Sequence, residues 1–328
     1  MPRPTKVSPA AVRKAAAFIR GGGTVVFPTE TVYGLGADAL NAKAVARIFE
    51  IKKRPRFDPL IVHVSSIRQA RTLAHVGSKA EALMKRFWPG PLTLVLPKKK
   101  IVPEIVTAGL NTVALRMPAD PTALALIKAA GTPVAAPSAN RFGSLSPTTA
   151  AHAGGQLKNG PDLILDSGRT RIGVESTVLA LRDGKFFILR HGGLPREEIE
   201  RVTGRLSAAL KGGKRPASPG QLLKHYSPRA ALRMIGKTPL RLRKGLKYGY
   251  LAFTSRPAAA VSSFRILSRS GNLAEAAANL FSHLHELDRA GVDIILAEPV
   301  PARGLGLAIM DRLNRAAAAK GHRPARTI

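Results

Sequence analysis

Residues 24–36 read TVVFPTETVYGLG. An apolar run, Val25 to Phe27, stops at Pro28 and is followed at once by Thr29, Glu30, Thr31 and Tyr33. The run reads as a short buried strand, and Gly34-Leu35-Gly36 as a turn beyond it. Hydrogen-bonding side chains gathered at a strand end mark a ligand site, because α/β sheets collect ligands where strands end. Upstream, residues 8–20 have the Ala, Val, Phe and Ile spacing of an amphipathic helix ended by Gly21, Gly22 and Gly23. That stretch is basic and has no acid before Glu30, as in a transit peptide. The periodicity favours a helix packed on the domain, with no signal peptide.

Downstream, helices are expected over 41–53, 66–75, 77–87, 121–130 and 195–209. Strands are expected in PLIVHV, LTLVLP, TVALRMP, the start of PVAAPSAN, DLILDSG, STVLAL and KFFILR. Short strands mixed irregularly with helices predict an α/β domain of α+β-like character, a sheet with flanking helices. KGGKRPASPG, residues 211–220, reads as a linker. After it, YGYLAFT, helix 272–290, VDIILAEPV and helix 305–319 alternate as a smaller parallel α/β domain. The expected organisation is a catalytic domain over 1–208, a linker over 209–230 and a second domain over 231–328.

The chain has 328 residues, 45% of them apolar, enough for two cores. No apolar run approaches the ~20 residues that span a bilayer. The absence of cysteine excludes disulfides, thiolate nucleophiles and Cys-based metal sites, and fits a reducing, cytoplasmic setting. The net charge is +32. It is spread widely: residues 1–208 carry 31 basic and 14 acidic side chains, residues 209–328 carry 21 and 6. Between Glu200 and Glu275 there are 16 Lys and Arg and no acid. Two readings stand: a solvated, compositionally biased linker, or contact with nucleotide or RNA.

There is no GxxxxGK[ST] loop, and the two GLG triplets are too short for a dinucleotide fingerprint. His283 and His285 are two apart on a helix and face apart, so no metal site is expected there. Four clusters carry more. IKKRPRFDPL (51–60) delivers Lys52, Lys53, Arg54 and Arg56 at a helix end, as dipole-matched cations or as a polyphosphate clamp. APSAN (136–140) puts Ser138 and Asn140 on one side at strand spacing, and GVESTV (173–178) again offers hydroxyls at a strand end. SPGQLLKHYSP (218–228) places His225 and Tyr226 between prolines, where packing seldom needs them.

FPTETVYGLGADA, KKRPRFDPLIVHV, LRMPAD, APSANRFGSLSPT, GVESTV and ILRHG together resemble the threonylcarbamoyl-AMP synthase family, whose catalytic module is the YrdC-like domain. SPGQLLKHYSP and GLGLAIMDRLNRAA resemble its long, two-domain form, so that the likeness runs from about residue 15 to about 320. It implies a YrdC-type twisted sheet plus a Rossmann-like C-terminal domain. It also implies a nucleotidyltransferase that joins L-threonine, bicarbonate (or CO2) and ATP, with Mg2+ on the triphosphate, into threonylcarbamoyl-AMP and pyrophosphate. Partner proteins would then modify tRNA beside the anticodon. Thr31, His63, Arg116, Ala136 and Ser176 match the threonine-binding positions, with PTET and Tyr33 adding polar contacts. Arg54, Asp58, Thr112, Ser138, Ser146, Arg190 and Tyr226 match the ATP-binding ones. Lys52, Arg54, Ser138 and Asn140 are the expected catalytic set, and no protein-bound metal is expected. The family usually has Asn at position 58, so either Asp58 faces Arg56 or the nucleotide's metal, or its role here differs. Tyr226 implies a linker that closes over the cleft as a lid. Two rivals remain: the carbamoyl-adenylate module of hydrogenase maturation factors, which carries Cys-rich units absent here, and a non-catalytic RNA-binding protein of the same fold. Direct tRNA contact through the basic surface is compatible with the enzyme reading too.

Overall fold

The computed structural model describes residues 3–207, 226–236 and 242–318. The expected linker falls largely on residues 208–225, outside the described residues. The chain divides into two compact units, Met1–Phe142 with Ser146–Gln221, and Gly143–Leu145 with Leu222–Ile328.

The strands of the first unit are β1 (Thr5–Lys6), β2 (Val25–Phe27), β3 (Gly34–Asp38), β4 (Ile61–His63), β5 (Leu92–Pro97), β6 (Thr112–Arg116), β7 (Val134–Ala135), β8 (Leu163–Asp166), β9 (Thr177–Arg182) and β10 (Lys185–Arg190). They form one mixed sheet in the order β1-β8-β2-β3-β7-β4-β6-β5-β9-β10. Alternation along β2 explains the layering: Val26 joins the core on one face, while Val25 and Phe27 join the core on the other. Helices Ala42–Lys52, Ser78–Phe87 and Ala150–Leu157 cover the first face through Val45, Ile48, Leu83, Met84 and Leu157. Helices Pro9–Arg20 and Pro121–Ala130 cover the second through Ile19, Leu126 and Ile127. Their N-termini are set locally, since Ser8 accepts from the Ala11 N–H and Asp120 from the Ala123 N–H.

Two expectations are corrected and one helix is added. Gly34-Leu35-Gly36 is strand rather than turn, and β3 pairs antiparallel with both β2 and β7. Gly36 is required by packing: a Cβ there would lie 2.7 Å from the Phe27 ring and 2.7 Å from Val134 Cγ1. Helix Ala150–Leu157 was not foreseen, because Gly154 and Gly155 weaken its intrinsic propensity; it is capped by Thr149 and packed on β8. The helix expected over 195–209 ends at Thr203, where Gly204 turns the chain with φ 72°.

The second unit holds a four-stranded parallel sheet, β11 (Ala231–Met234), β14 (Ile294–Ala297), β12 (Tyr248–Ala252) and β13 (Ser263–Ile266), in that spatial order. Helices Leu273–Arg289 and Gly306–Ala318 accompany it. The expected strands β12 and β14 are central and continuously apolar. The two that sequence reading missed, β11 and β13, are the edges, with Arg233 and Arg265 interrupting the apolar pattern. Tyr226 is buried in this unit in the left-handed region, φ 62°, against Phe281 (5.7 Å between ring centroids) and under the buried Arg312 guanidinium at 4.8 Å.

Candidate functional site

The PTET loop joins β2 to β3. Thr29 Oγ1 donates to the Val32 carbonyl at 2.7 Å and caps the Thr31 N–H at 3.2 Å, a hydroxyl-closed turn that hardens the loop. The Glu30 and Thr31 carbonyls accept from the Ile172 and Gly173 N–H groups. Tyr33 bolts this loop down rather than contacting a substrate. Its hydroxyl donates to the Gly168 carbonyl at 2.7 Å and accepts from the Ser167 N–H, and burial pushes its pKa up to about 12.

His63 and Arg116 end the parallel strands β4 and β6 and are register partners, so their side chains emerge together. Both are buried. Phe27 packs edge-on against the His63 ring, 6.1 Å between centroids. Burial, then the Arg116 charge, lower the His63 pKa to about 3. The imidazole is therefore neutral at physiological pH. Ala136 joins them through its backbone, its N–H donating to the Ile61 carbonyl. Ser176 lies beside Thr93, with the two hydroxyls 2.8 Å apart.

The phosphate-side candidates occupy the end of helix Ala42–Lys52 and the strand ends nearby. The Lys52 ammonium is buried and donates to the Ser138 and Asn140 carbonyls, so it fixes the APSAN turn that carries two of the expected polar groups. Burial, and secondarily Arg54, pull its pKa well below the usual lysine range, against an opposing pull from Asp58. Arg54 donates through Nε to the Asp58 carbonyl and through Nη2 to the Pro59 carbonyl, and Nη2 contacts the Asp58 carboxylate at 2.8 Å. Asp58 therefore faces Arg54, and the expectation that it faces Arg56 is corrected: Arg56 is exposed. Burial raises the Asp58 pKa, while Arg54, Lys52 and Arg190 pull the other way.

Arg190 reaches the site through an irregularity. The register of β9 with β10 slips between Ile188 and Arg190, which re-aims the last side chain. Its guanidinium donates to the Ser176 carbonyl at 2.9 and 3.1 Å and to the Ser176 hydroxyl at 3.1 Å. A threonine-side candidate and an ATP-side candidate are thus one hydrogen-bonded unit. Gly192 is what admits the close crossing there, since a Cβ would fall 2.3 Å from the Glu175 carbonyl oxygen. The Ser146 hydroxyl donates to the buried Glu175 carboxylate. Thr112 opens β6, four residues and roughly 13 Å from Arg116 along the strand.

Sequence reasoning gave Glu30 only a polar contact within PTET and missed Thr93 and Glu175. A signal was available for the two acids. In a chain with only 20 acidic residues, TET and VEST each place a glutamate beside an apolar run. Among the described residues no group of three His, Cys, Asp or Glu side chains is placed to hold a metal ion, His283 and His285 included.

His63 makes a pH prediction. The unfolded chain protonates this ring near its ordinary pKa, about 6.5, whereas the folded chain resists to about 3. Its contribution to stability is complete above the unfolded value and is lost as pH falls toward the folded one. Between pH 7 and pH 5 the wild type should lose about 2 kcal/mol more unfolding free energy than His63→Gln. Urea titrations of both proteins at the two pH values measure this; equal losses would show that His63 is not held neutral.

Two family models match the chain, one described as Telomere recombination over residues 17–192 and one described as Threonylcarbamoyl-AMP synthase, C-terminal domain, over residues 194–318. The curated threonylcarbamoyl-AMP synthase of Pyrococcus abyssi is 46% identical over 322 residues, covering 93% of each chain. That of Bacillus subtilis is 45% identical over 322 residues, covering 93% of this chain and 92% of the relative. The crystal structure of P. abyssi Sua5 complexed with L-threonine superposes with a TM-score of 0.90 at 43% identity, over 97% of this chain and 98% of that one.

Proposed function

The chain belongs to the threonylcarbamoyl-AMP synthase family in its long, two-domain form, and we propose that it condenses L-threonine, bicarbonate or CO2 and ATP into L-threonylcarbamoyl-AMP with release of pyrophosphate. As a maker of an AMP-linked intermediate it is a nucleotidyltransferase. The observation that carries the reading is the likeness, over nearly the whole chain, to a Sua5 bound to L-threonine. The product would supply threonylcarbamoyl groups to partner proteins that modify tRNA beside the anticodon, in the cytoplasm.

The chemistry asks for positioning more than for a protein nucleophile. The threonine amine captures CO2 as a carbamate, and a carbamate oxygen attacks the α-phosphorus as pyrophosphate leaves. Arg116 takes the substrate carboxylate, and neutral His63 and Thr31 line the same pocket with Ser176 and the Ala136 backbone. Lys52, Arg54 and Arg190 set positive charge where the triphosphate lies, and the Lys52-braced Ser138–Asn140 turn, with Ser146, shapes the nucleotide side. Thr112 completes the ATP contacts carried over from the family within the first unit; Tyr226 matches a further ATP-binding position of the family. Mg2+ arrives as the counter-ion of ATP. This fits the donor set, because the Asp58 carboxylate among these cations is already held by Arg54. The net charge of +32 favours direct tRNA contact beside a labile product.

The test is pyrophosphate release from MgATP in the absence of tRNA. Release is expected only when both L-threonine and bicarbonate are present. No release, together with tight and salt-sensitive tRNA binding, would favour a non-catalytic RNA-binding protein of this fold.

A further inference from the structure

Glu30 has a place in the pocket that none of the assigned roles explains. It lies within the PTET loop, 5% exposed, and one of its carboxylate oxygens stands 2.8 Å from Arg116 Nη2. The distance is that of an ion pair, but the direction is not that of a hydrogen bond. Both Glu30 carboxylate oxygens and Arg116 Nη2 are buried without a hydrogen-bond partner among the described residues, as is His63 Nδ1. Buried polar groups are almost always satisfied, and leaving several uncommitted in one place is costly. Most of their neighbours behave differently. Thr31 Oγ1 is engaged with Thr29, Ser176 Oγ with Thr93 and Arg190, and the Glu175 carboxylate with Ser146; on the nucleotide side Asp58, ion-paired with Arg54 at 2.8 Å, likewise accepts no hydrogen bond among the described residues.

The uncommitted set is one cation, one anion and one neutral imidazole nitrogen. We propose that Glu30 is the receptor for the substrate's α-ammonium group, so that Arg116 and Glu30 together clasp the two charges of an amino-acid zwitterion. The proposal rests on the threonine reading above. The ammonium nitrogen of an α-amino acid is fixed roughly 2.5 Å from its carboxylate carbon. A carboxylate seated on Arg116 therefore brings the ammonium within a few ångströms of the guanidinium. That approach is repulsive unless an anion stands between or beside them. Glu30 is that anion, already in contact with Arg116. It is held on a loop whose backbone is fixed by the Thr29 hydroxyl, the Ile172 N–H and the Gly173 N–H. Selection for an amino acid over a simple hydroxy acid then comes from Glu30, because an analogue without the amine leaves the carboxylate buried and unmet.

The experiment is calorimetric binding of L-threonine and of (R)-3-hydroxybutyrate, its analogue lacking the amine, to the full-length protein and to Glu30→Gln. The wild type should prefer threonine strongly. Glu30→Gln should weaken threonine by about 10- to 100-fold while leaving the analogue's affinity equal or improved, so that the preference collapses. ATP binding should be unchanged. If Glu30 serves only to hold Arg116 in place, both ligands weaken alike and the proposal fails; it fails equally if neither weakens. Glu30→Asp, which keeps the charge on a shorter stem, should retain part of the preference, and it is the variant to use if Glu30→Gln does not fold. A wild type that binds no threonine would overturn the substrate reading itself and Glu30's role with it.

Discussion

Lys52→Met is expected to lower threonine- and bicarbonate-dependent pyrophosphate release by about 10²–10³-fold, the usual consequence of removing one preorganised charged donor. Methionine keeps the apolar stem in the core and removes only the ammonium. Two buried carbonyls, those of Ser138 and Asn140, lose their charged donor at once. Each such bond to a charged group contributes about 1.5–3 kcal/mol, so the variant should also unfold earlier in urea. The two effects separate in a binding assay. Threonine affinity should stay within about threefold of wild type, because Arg116, His63 and Glu30 stand on other elements, while turnover collapses. A variant that is destabilised yet turns over normally would make Lys52 a brace for the APSAN turn and nothing more.

Asp58→Ala should be the most destabilising single change in the site. Arg54 and Asp58 have side-chain exposures of 3% and 0%. Removing one partner of a buried ion pair leaves the other charge buried alone, which costs about 3–5 kcal/mol. Asp58→Asn is a different case. The amide keeps the volume, and Arg54 keeps its bonds to the backbone carbonyls of residues 58 and 59. The variant should therefore lose less stability. With a negative charge withdrawn from among Arg54, Lys52 and Arg190, it should bind ATP at least as tightly as wild type. Urea unfolding with ATP titrations on the three proteins measures both. If Asp58→Ala were as stable as wild type, the pair would not be contributing as its burial implies.

Much of the site was legible because its residues sit in motifs of unlike chemistry at strand ends. PTET, KKRPR, APSAN and GVEST could be picked out one by one, and their order along the chain supported the family likeness. Their wiring was not legible. Nothing in the spacing says that Lys52 points at the carbonyls of residues 138 and 140, or that Arg190 clasps Ser176. Those pairs are 86, 88 and 14 residues apart, and local periodicity carries no information on contacts at that range. Asp58 shows the limit most plainly. Arg56 is nearer to it in sequence than Arg54, and only the turn after helix Ala42–Lys52, with Lys53 left-handed at φ 52°, decides that Arg54 is the one buried with it.

By itself the sequence determined the elements whose signals are local. Ser8 and the three glycines bound the first helix, apolar runs mark the central strands, and Asn272 with the Leu280–Leu284–Leu287 spacing marks the long helix of the second unit. It also determined the chemical inventory: no thiol, abundant cations, and hydroxyls and amides at strand ends. Tertiary structure decided what those signals conceal. Gly34 and Gly36 read as a turn by propensity, yet they lie in a strand paired with β2 and β7, where Phe27 and Val134 leave no room for a Cβ at position 36. The edge strands β11 and β13 lack continuous apolar runs and exist through pairing with their neighbours. Glu30 reads as one more polar residue in a loop, and becomes a buried charge against Arg116 only when β2, β3 and β6 share one sheet. Propensity and periodicity are set by neighbours within a few residues, whereas burial and charge pairing are set by whichever distant strands the sheet brings together.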